Sequence, residues 1–175
     1  MPPAKTRRLF FALWPTDAIR ARLAAEVQAH AALGRGIATR NLHVTAVFLG
    51  AVPAERIDRV TDAAKLTRCG RFMLHLSRVE FWRRSNLICL IAAQTPPALL
   101  TLVDGLRAGL RERSFELRDR ETFRPHVTLV RDVARGPAAA DVAPVQWPVE
   151  SFVLVESQVG QRGSEYTVLD EWSLA

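Results

Sequence analysis

His43-Val44-Thr45-Ala46-Val47-Phe48-Leu49 and His126-Val127-Thr128-Leu129-Val130 are two copies of one pattern, their histidines 83 residues apart, and their reading decides the fold. Each is an apolar, β-branched run of strand length. Strand side chains alternate, so His43 and Thr45 point to one face and Val44 and Ala46 to the other; His126 and Thr128 separate from Val127 and Leu129 in the same way. Polar pairs then face a cleft while aliphatics face a core. Two such strands side by side set two imidazoles against each other, which is the minimum equipment for removing one proton and supplying another.

The surroundings of the two copies also match. His43 lies 33 residues after Phe10 in the strand-like run Arg8–Trp14, and His126 lies 36 residues after Leu90 in the run Leu87–Ala93. A helical segment intervenes both times, which reads as a degenerate duplication of strand–helix–strand. In the first half, Pro15-Thr16-Asp17 offers an N-cap ahead of a helix with Ile19, Leu23 and Val27 on one stripe. Gly34-Arg35-Gly36 breaks it, Gly50 ends the motif strand, and Pro53 opens a helix carrying Ile57, Val60 and Ala64. Phe72–Phe81 and Leu87–Ala93 form a hairpin about Arg83-Arg84-Ser85-Asn86. Thr95-Pro96-Pro97 opens a third helix, whose Leu99, Leu102, Val103, Leu106 and Leu110 must be buried. Ala134–Ala140 reads as a surface loop, and Ser151–Glu156 and Tyr166–Trp172 are the last strands. The expected class is α+β, with mixed sheets rather than a doubly wound parallel one.

The 175 residues suit a single unit, 1–175, without a linker. Hydrophobic residues make up 49% with no run of membrane-span length, and Leu9–Trp14 is too short for a signal-peptide core, so a cytoplasmic protein with no membrane partner is expected. Cys69 and Cys89 are too few for a disulfide framework and read as structural thiols. The net charge of +6 is compatible with a phosphate-rich partner, although every cation but Lys5 and Lys65 is Arg, a bias that coding composition can also produce.

The chemistry follows from the residue types. With imidazoles titrating near 6.5, one can be neutral and accept a proton from water while the other is protonated and donates. Thr45 and Thr128, about 7 Å along the strand from their histidines, can donate hydroxyl hydrogen bonds to non-bridging phosphate oxygens. Arg131 is a further candidate for the phosphate, although strict alternation turns it off the motif face. Alternation also puts Phe48 on the core face, so burial is expected ahead of a base-stacking role. Asn41 and Arg124 shape the approach to the two strands, Arg124 being pushed toward extended geometry by Pro125. His30 and His75 read as structural or surface residues. No metal and no cofactor is expected: Thr is a poor zinc ligand, neither motif contains a third ligand, and Asp132 is the only acidic residue close to either.

Arg8-Leu9-Phe10-Phe11-Ala12-Leu13, Asn41-Leu42-His43-Val44-Thr45 through Phe48-Leu49-Gly50, Arg124-Pro125-His126-Val127-Thr128-Leu129 and Tyr166-Thr167-Val168-Leu169 with Trp172 together resemble the RNA 2′,3′-cyclic phosphodiesterases. These are also called the 2′-5′ RNA ligase family, within the two-histidine (2H) phosphoesterase superfamily. The resemblance runs from Arg8 to Leu174. It implies two pseudo-symmetric lobes with antiparallel-rich sheets and outer helices around a central groove, and metal-free hydrolysis of an RNA-terminal 2′,3′-cyclic phosphate to a 2′-phosphate. It further implies that His43 is the proton donor and His126 the proton acceptor. Relatives often carry Leu and a polar or basic side chain where this chain has Ala46-Val47, a difference that bears on substrate preference.

The expected partners are RNA ends or small nucleotides carrying a cyclic phosphate, acted on by a monomer, with 2′-5′ ligation as the chemical reverse. The alternatives are a phosphodiesterase for another small nucleotide, such as a 2′-5′ oligonucleotide or an ADP-ribose cyclic phosphate, and a non-catalytic RNA-end-binding protein. A panel of cyclic-phosphate ends and small nucleotides separates the first alternative; retention of both His and both Thr argues against the second.

Overall fold

A computed structural model describes residues 5–117, 122–160 and 163–175. Met1–Ala4, part of the segment read for targeting, lie outside the described residues. In chain order the elements are β1 (Thr6–Leu13), α1 (Asp17–His30), the two-residue β2 (Arg35–Gly36), β3 (Val44–Pro53), α2 (Ile57–Leu66), β4 (Phe72–Trp82), β5 (Leu87–Ala92), α3 (Pro97–Glu112), β6 (His126–Arg131), β7 (Ala140–Val149), β8 (Ser151–Gly160) and β9 (Gly163–Ser173). They form one sheet in the order β3-β1-β8-β9 and another in the order β2-β6-β5-β4-β7. Among the described residues every pairing is antiparallel.

The two orders superimpose term by term once β2 is set aside. In each sheet the motif strand, β3 or β6, pairs with the strand that precedes it by one long helix, β1 through α1 or β5 through α3. That is the duplicated strand–helix–strand of the sequence, with the two strands antiparallel neighbours. The β8–β9 hairpin crosses back to complete the first sheet, while β4 and β7 complete the second.

Periodicity placed the helices well. Leu99, Leu102, Val103, Leu106 and Leu110 of α3 are all buried, each worth roughly 1.5–3 kcal/mol when fully removed from water. In α1 only Leu23 and Val27 of the expected stripe are buried, with Ile19 packed partly against the core. The largest buried cluster draws on both sheets and all three helices, from Leu9 and Phe11 through Leu102 and Leu129 to Trp147 and Phe152. Cys89 is fully buried and burial pushes its thiol up to about 12, while Cys69 is half-buried and also raised by burial.

One expectation is corrected here, and one strand is added that the sequence reading lacked. Gly50 does not end the first motif strand; it takes φ +77° opposite Leu9 and the strand runs on to Pro53. The sequence pattern also conceals β7, because Pro144 and Pro148 interrupt it. This is an edge strand, and there a missing N–H costs no ladder bond on the open side. Its Val145, Trp147 and Val149 are buried in strict alternation.

Gly34 sits where β2 comes up against β6. A Cβ added there would lie 2.4 Å from the Arg131 carbonyl oxygen and 3.1 Å from Val130 and Val133 side chains. Backbone cannot yield cheaply, so Gly34→Ala is expected to lower stability by about 1–3 kcal/mol. Urea denaturation checks this: an unchanged midpoint would show that β2 can lift away without cost.

Candidate active site

Antiparallel register explains where the motif side chains point. Ala12 pairs with Thr45 and Phe11 with Val47, leaving Ala46 without a partner; Cys89 pairs with Thr128 and Ile88 with Val130, leaving Leu129 without one. Each motif strand therefore carries a one-residue bulge immediately after its Thr, and a bulge resets the alternation. Ala46 and Val47 are both buried, as are Leu129 and Val130. The next residue in each strand turns back to the His and Thr face. That residue is Phe48 in one lobe and Arg131 in the other.

Two expectations change accordingly. Phe48 is not a core residue: it is 44% exposed, lines the groove and carries the Arg8 guanidinium over its ring at 4.8 Å. Arg131 is not turned away; it lines the groove beside Thr128 and its charge acts on His43.

Both imidazoles are held by the same device. His43 Nδ1 is 2.6 Å from the carbonyl oxygen of Asn41, and His126 Nδ1 is 2.8 Å from that of Arg124. A carbonyl oxygen can only accept, so each Nδ1 carries the hydrogen and, in the neutral ring, Nε2 is the basic nitrogen. His43 Nε2 accepts from the Thr45 hydroxyl at 3.0 Å. An indole packs on each ring: Trp14 stacks on His43 at 5.8 Å and Trp82 lies against His126 at 4.4 Å. Phe10 and Tyr166 close in on His43 at 5.0 and 5.2 Å.

This enclosure sets the charge of His43. Burial is the largest influence and pushes its pKa down to about 4; the Asn41 carbonyl opposes it, while the positive charges of His126, Arg131 and Arg20 add to it. His43 is therefore neutral at pH 7 before substrate binds. Its response to both His126 and Arg131 shows that the two motifs share one electrostatic site.

A groove of about 1080 Å³ runs between the lobes and is lined by His43, Thr45, His126 and Thr128 together with Phe48, Arg131, Trp82 and Tyr166. Arg8, Arg35, Arg40, Arg107 and Arg124 also line it, and among its described lining residues there is no carboxylate or thiol. Its donor set is imidazole, hydroxyl and guanidinium, which suits an anion and proton transfer. Among the described residues no three His, Cys, Asp or Glu side chains converge, and no helix is long and apolar enough to cross a membrane.

Asn41 is buried and its side-chain amide donates to the Ser164 carbonyl at 2.7 Å, tying the β8–β9 hairpin to the segment that holds His43. His30 and His75 lie outside the groove lining, His30 bonded to the Glu26 carbonyl of its own helix. Sequence reasoning missed Trp14 and Trp82 as site residues. Each sits at the end of a strand run, a position where a large aromatic with one face uncovered is a usable signal.

The sequence profile of the 2′-5′ RNA ligase superfamily matches residues 14–161. An RNA 2′,3′-cyclic phosphodiesterase of Thermus thermophilus is 33% identical over 179 residues, covering 95% of this chain and 90% of the relative. One of Escherichia coli is 32% identical, covering 98% of both chains. The crystal structure of E. coli LigT complexed with 3′-AMP has a TM-score of 0.89 at 31% identity, over 97% of this chain and 99% of that one. LigT complexed with phosphate gives 0.85 at 30% identity, over 97% and 98%. Two antiparallel lobes with one His-x-Thr facing the groove from each define a two-histidine phosphoesterase fold. The chain belongs to the 2′-5′ RNA ligase superfamily.

The low pKa of His43 makes a stability prediction. Its folded value of about 4 lies below the ordinary 6.5, so between the two the unfolded chain binds the extra proton. The stabilisation is intact above pH 6.5 and is lost as pH falls toward 4, on the order of 2 kcal/mol. In His43→Asn that loss is expected to vanish from the difference between urea midpoints at pH 7 and pH 4.5. Equal acid sensitivity in both proteins would refute a depressed His43.

Proposed function

We propose that the protein hydrolyses RNA-terminal 2′,3′-cyclic phosphates to 2′-phosphates by paired histidine acid–base catalysis, without a metal, acting as a cytoplasmic monomer. The observation that carries this reading is the convergence of two imidazoles, each with Nδ1 tied to a backbone carbonyl, on one arginine-lined groove. The names of its full-length relatives and a LigT complex with phosphate support the same substrate class.

In this mechanism water attacks phosphorus opposite O3′. His126 Nε2 takes the water proton as the P–O bond forms, and the P–O3′ bond breaks as His43 Nε2–H protonates the departing oxygen. The products are a 2′-phosphomonoester and a free 3′-hydroxyl; His126 then returns its proton to solvent and His43 regains one. Thr45, Thr128 and Arg131 hold the non-bridging oxygens, where negative charge grows in the transition state. Thr45 must first release His43 Nε2, to which its hydroxyl is bonded. Phe48, exposed on the groove, offers its ring to a base.

The donor role requires His43 to be charged, whereas its surroundings in the protein keep it neutral. The phosphate anion supplies the opposite charge that draws the proton in, so substrate and proton bind together. Titration calorimetry of a 2′-phosphate nucleotide at pH 7 in buffers of differing ionisation enthalpy is expected to show proton uptake approaching one per site. Binding without uptake, in an active protein, would exchange the roles of the two histidines.

His43→Ala and His126→Ala are each expected to lower hydrolysis by roughly 10²–10⁴, with the double variant close to the worse single one because the pair acts as a unit. Saturating chelator should leave the rate of the parent unchanged. An RNA product resistant to an enzyme that removes only 3′-phosphates establishes the 2′-phosphate; quantitative release would place the substrate the other way round in the groove.

A further inference from the structure

Each lobe packs a guanidinium, an indole and an imidazole one against the next, and the two series are anchored differently. In the first lobe Arg20 lies 5.5 Å from the centre of the Trp14 ring, which stacks on His43, and Arg20 is fixed by the carbonyl oxygens of Pro15, Thr39 and Arg40 at 3.0, 3.1 and 3.2 Å. In the second lobe Arg124 lies 5.5 Å from the Trp82 ring, which packs on His126. Here a single carboxylate oxygen takes the anchoring role. Glu80 Oε2 accepts from Arg124 Nη2 at 2.9 Å and from Trp82 Nε1 at 3.2 Å, while Oε1 is 3.6 Å from Arg78.

We propose that Glu80 is the positioning residue for His126, holding two residues that contact its ring. Of those two groups, Trp82 supplies the surface on which the imidazole rests. Arg124 supplies the backbone carbonyl that accepts from Nδ1, and this fixes which nitrogen faces the groove. Glu80 Oε2 holds the Trp82 ring directly and the Arg124 side chain, so losing it loosens the wall and removes one restraint on the residue that carries the tether. Glu80 is suited to the task because its carboxyl is half-buried, which strengthens its bonds. Burial alone would raise its pKa, but the bonds from Arg124 and Trp82 and the charges of Arg124 and Arg78 outweigh this and keep it below the usual carboxylate range. Nothing in the His-x-Thr pattern points to Glu80, which lies on β4 and reaches the site only through the sheet.

The inference rests on the proposed reaction in one respect, that His126 moves a proton. The test therefore combines a kinetic and a spectroscopic measurement. Glu80→Ala is expected to lower kcat roughly 10- to 100-fold, the scale of a misplaced catalytic group, with KM changed less than about twofold. Glu80→Gln keeps an acceptor for both donors and is expected to recover most of that loss. In ¹⁵N-imidazole NMR, His126 of the parent should show the Nδ1–H tautomer, and Glu80→Ala should show a mixture of tautomers with His43 unaltered. A parent-like His126 signal in Glu80→Ala overturns the inference whatever the activity, as does an equal loss in the Ala and Gln variants. A disturbed His126 signal with hydrolysis unaffected would leave the positioning intact and reject the proton-transfer role instead.

Discussion

The site depends on one extra residue in each motif strand. Ala46 and Leu129 have no partners in strands β1 and β5, and the strands accommodate them by bulging directly after Thr45 and Thr128. Without those bulges, Phe48 and Arg131 would enter the core, where an unpaired guanidinium costs several kcal/mol. With them, each strand offers three groove-facing side chains in the order imidazole, hydroxyl, then an aromatic ring or a guanidinium. The two lobes are thus copies up to the hydroxyl and differ at the third position, where one provides a flat apolar surface and the other a charge. A terminal nucleotide, with a base at one end and a phosphate at the other, has that polarity.

The Nδ1 of each histidine bonds to the main chain rather than directly to an acidic side chain. In each lobe the carbonyl two residues upstream fixes the tautomer, which leaves Nε2 toward the groove without introducing a negative charge beside an incoming anion. The absence of carboxylates from the described groove lining is consistent with this choice. The carboxylates that pair with two of the groove arginines, Asp132 with Arg35 and Glu80 with Arg124, stand outside the described lining.

The near-symmetry of the lobes does not extend to their electrostatics. His43 is enclosed by Trp14, Phe10 and Tyr166 and faces the charges of Arg20, Arg131 and His126, which together explain its low pKa. On the other side Arg124, which lies over the Trp82 ring, is matched by Glu80. Two chemically identical groups are thereby given different environments, the usual way in which a pair of like residues takes up opposite roles in proton transfer.

The sequence by itself determined the duplication, the α+β class, the helix faces and the pairs His43/Thr45 and His126/Thr128. All of these are properties of a single segment: a period of two or of 3.6, a turn residue, a repeated word. Tertiary structure decided the direction of Phe48 and Arg131, because a bulge is a mismatch between two strands and neither strand alone records it. It also decided the edge strand β7, whose prolines are tolerated only because one side lacks a neighbour. Trp14, Trp82 and Glu80 became part of the site for the same reason. Their contacts join residues 29 and 44 positions apart, a separation at which local pattern says nothing and only the pairing of strands brings side chains together.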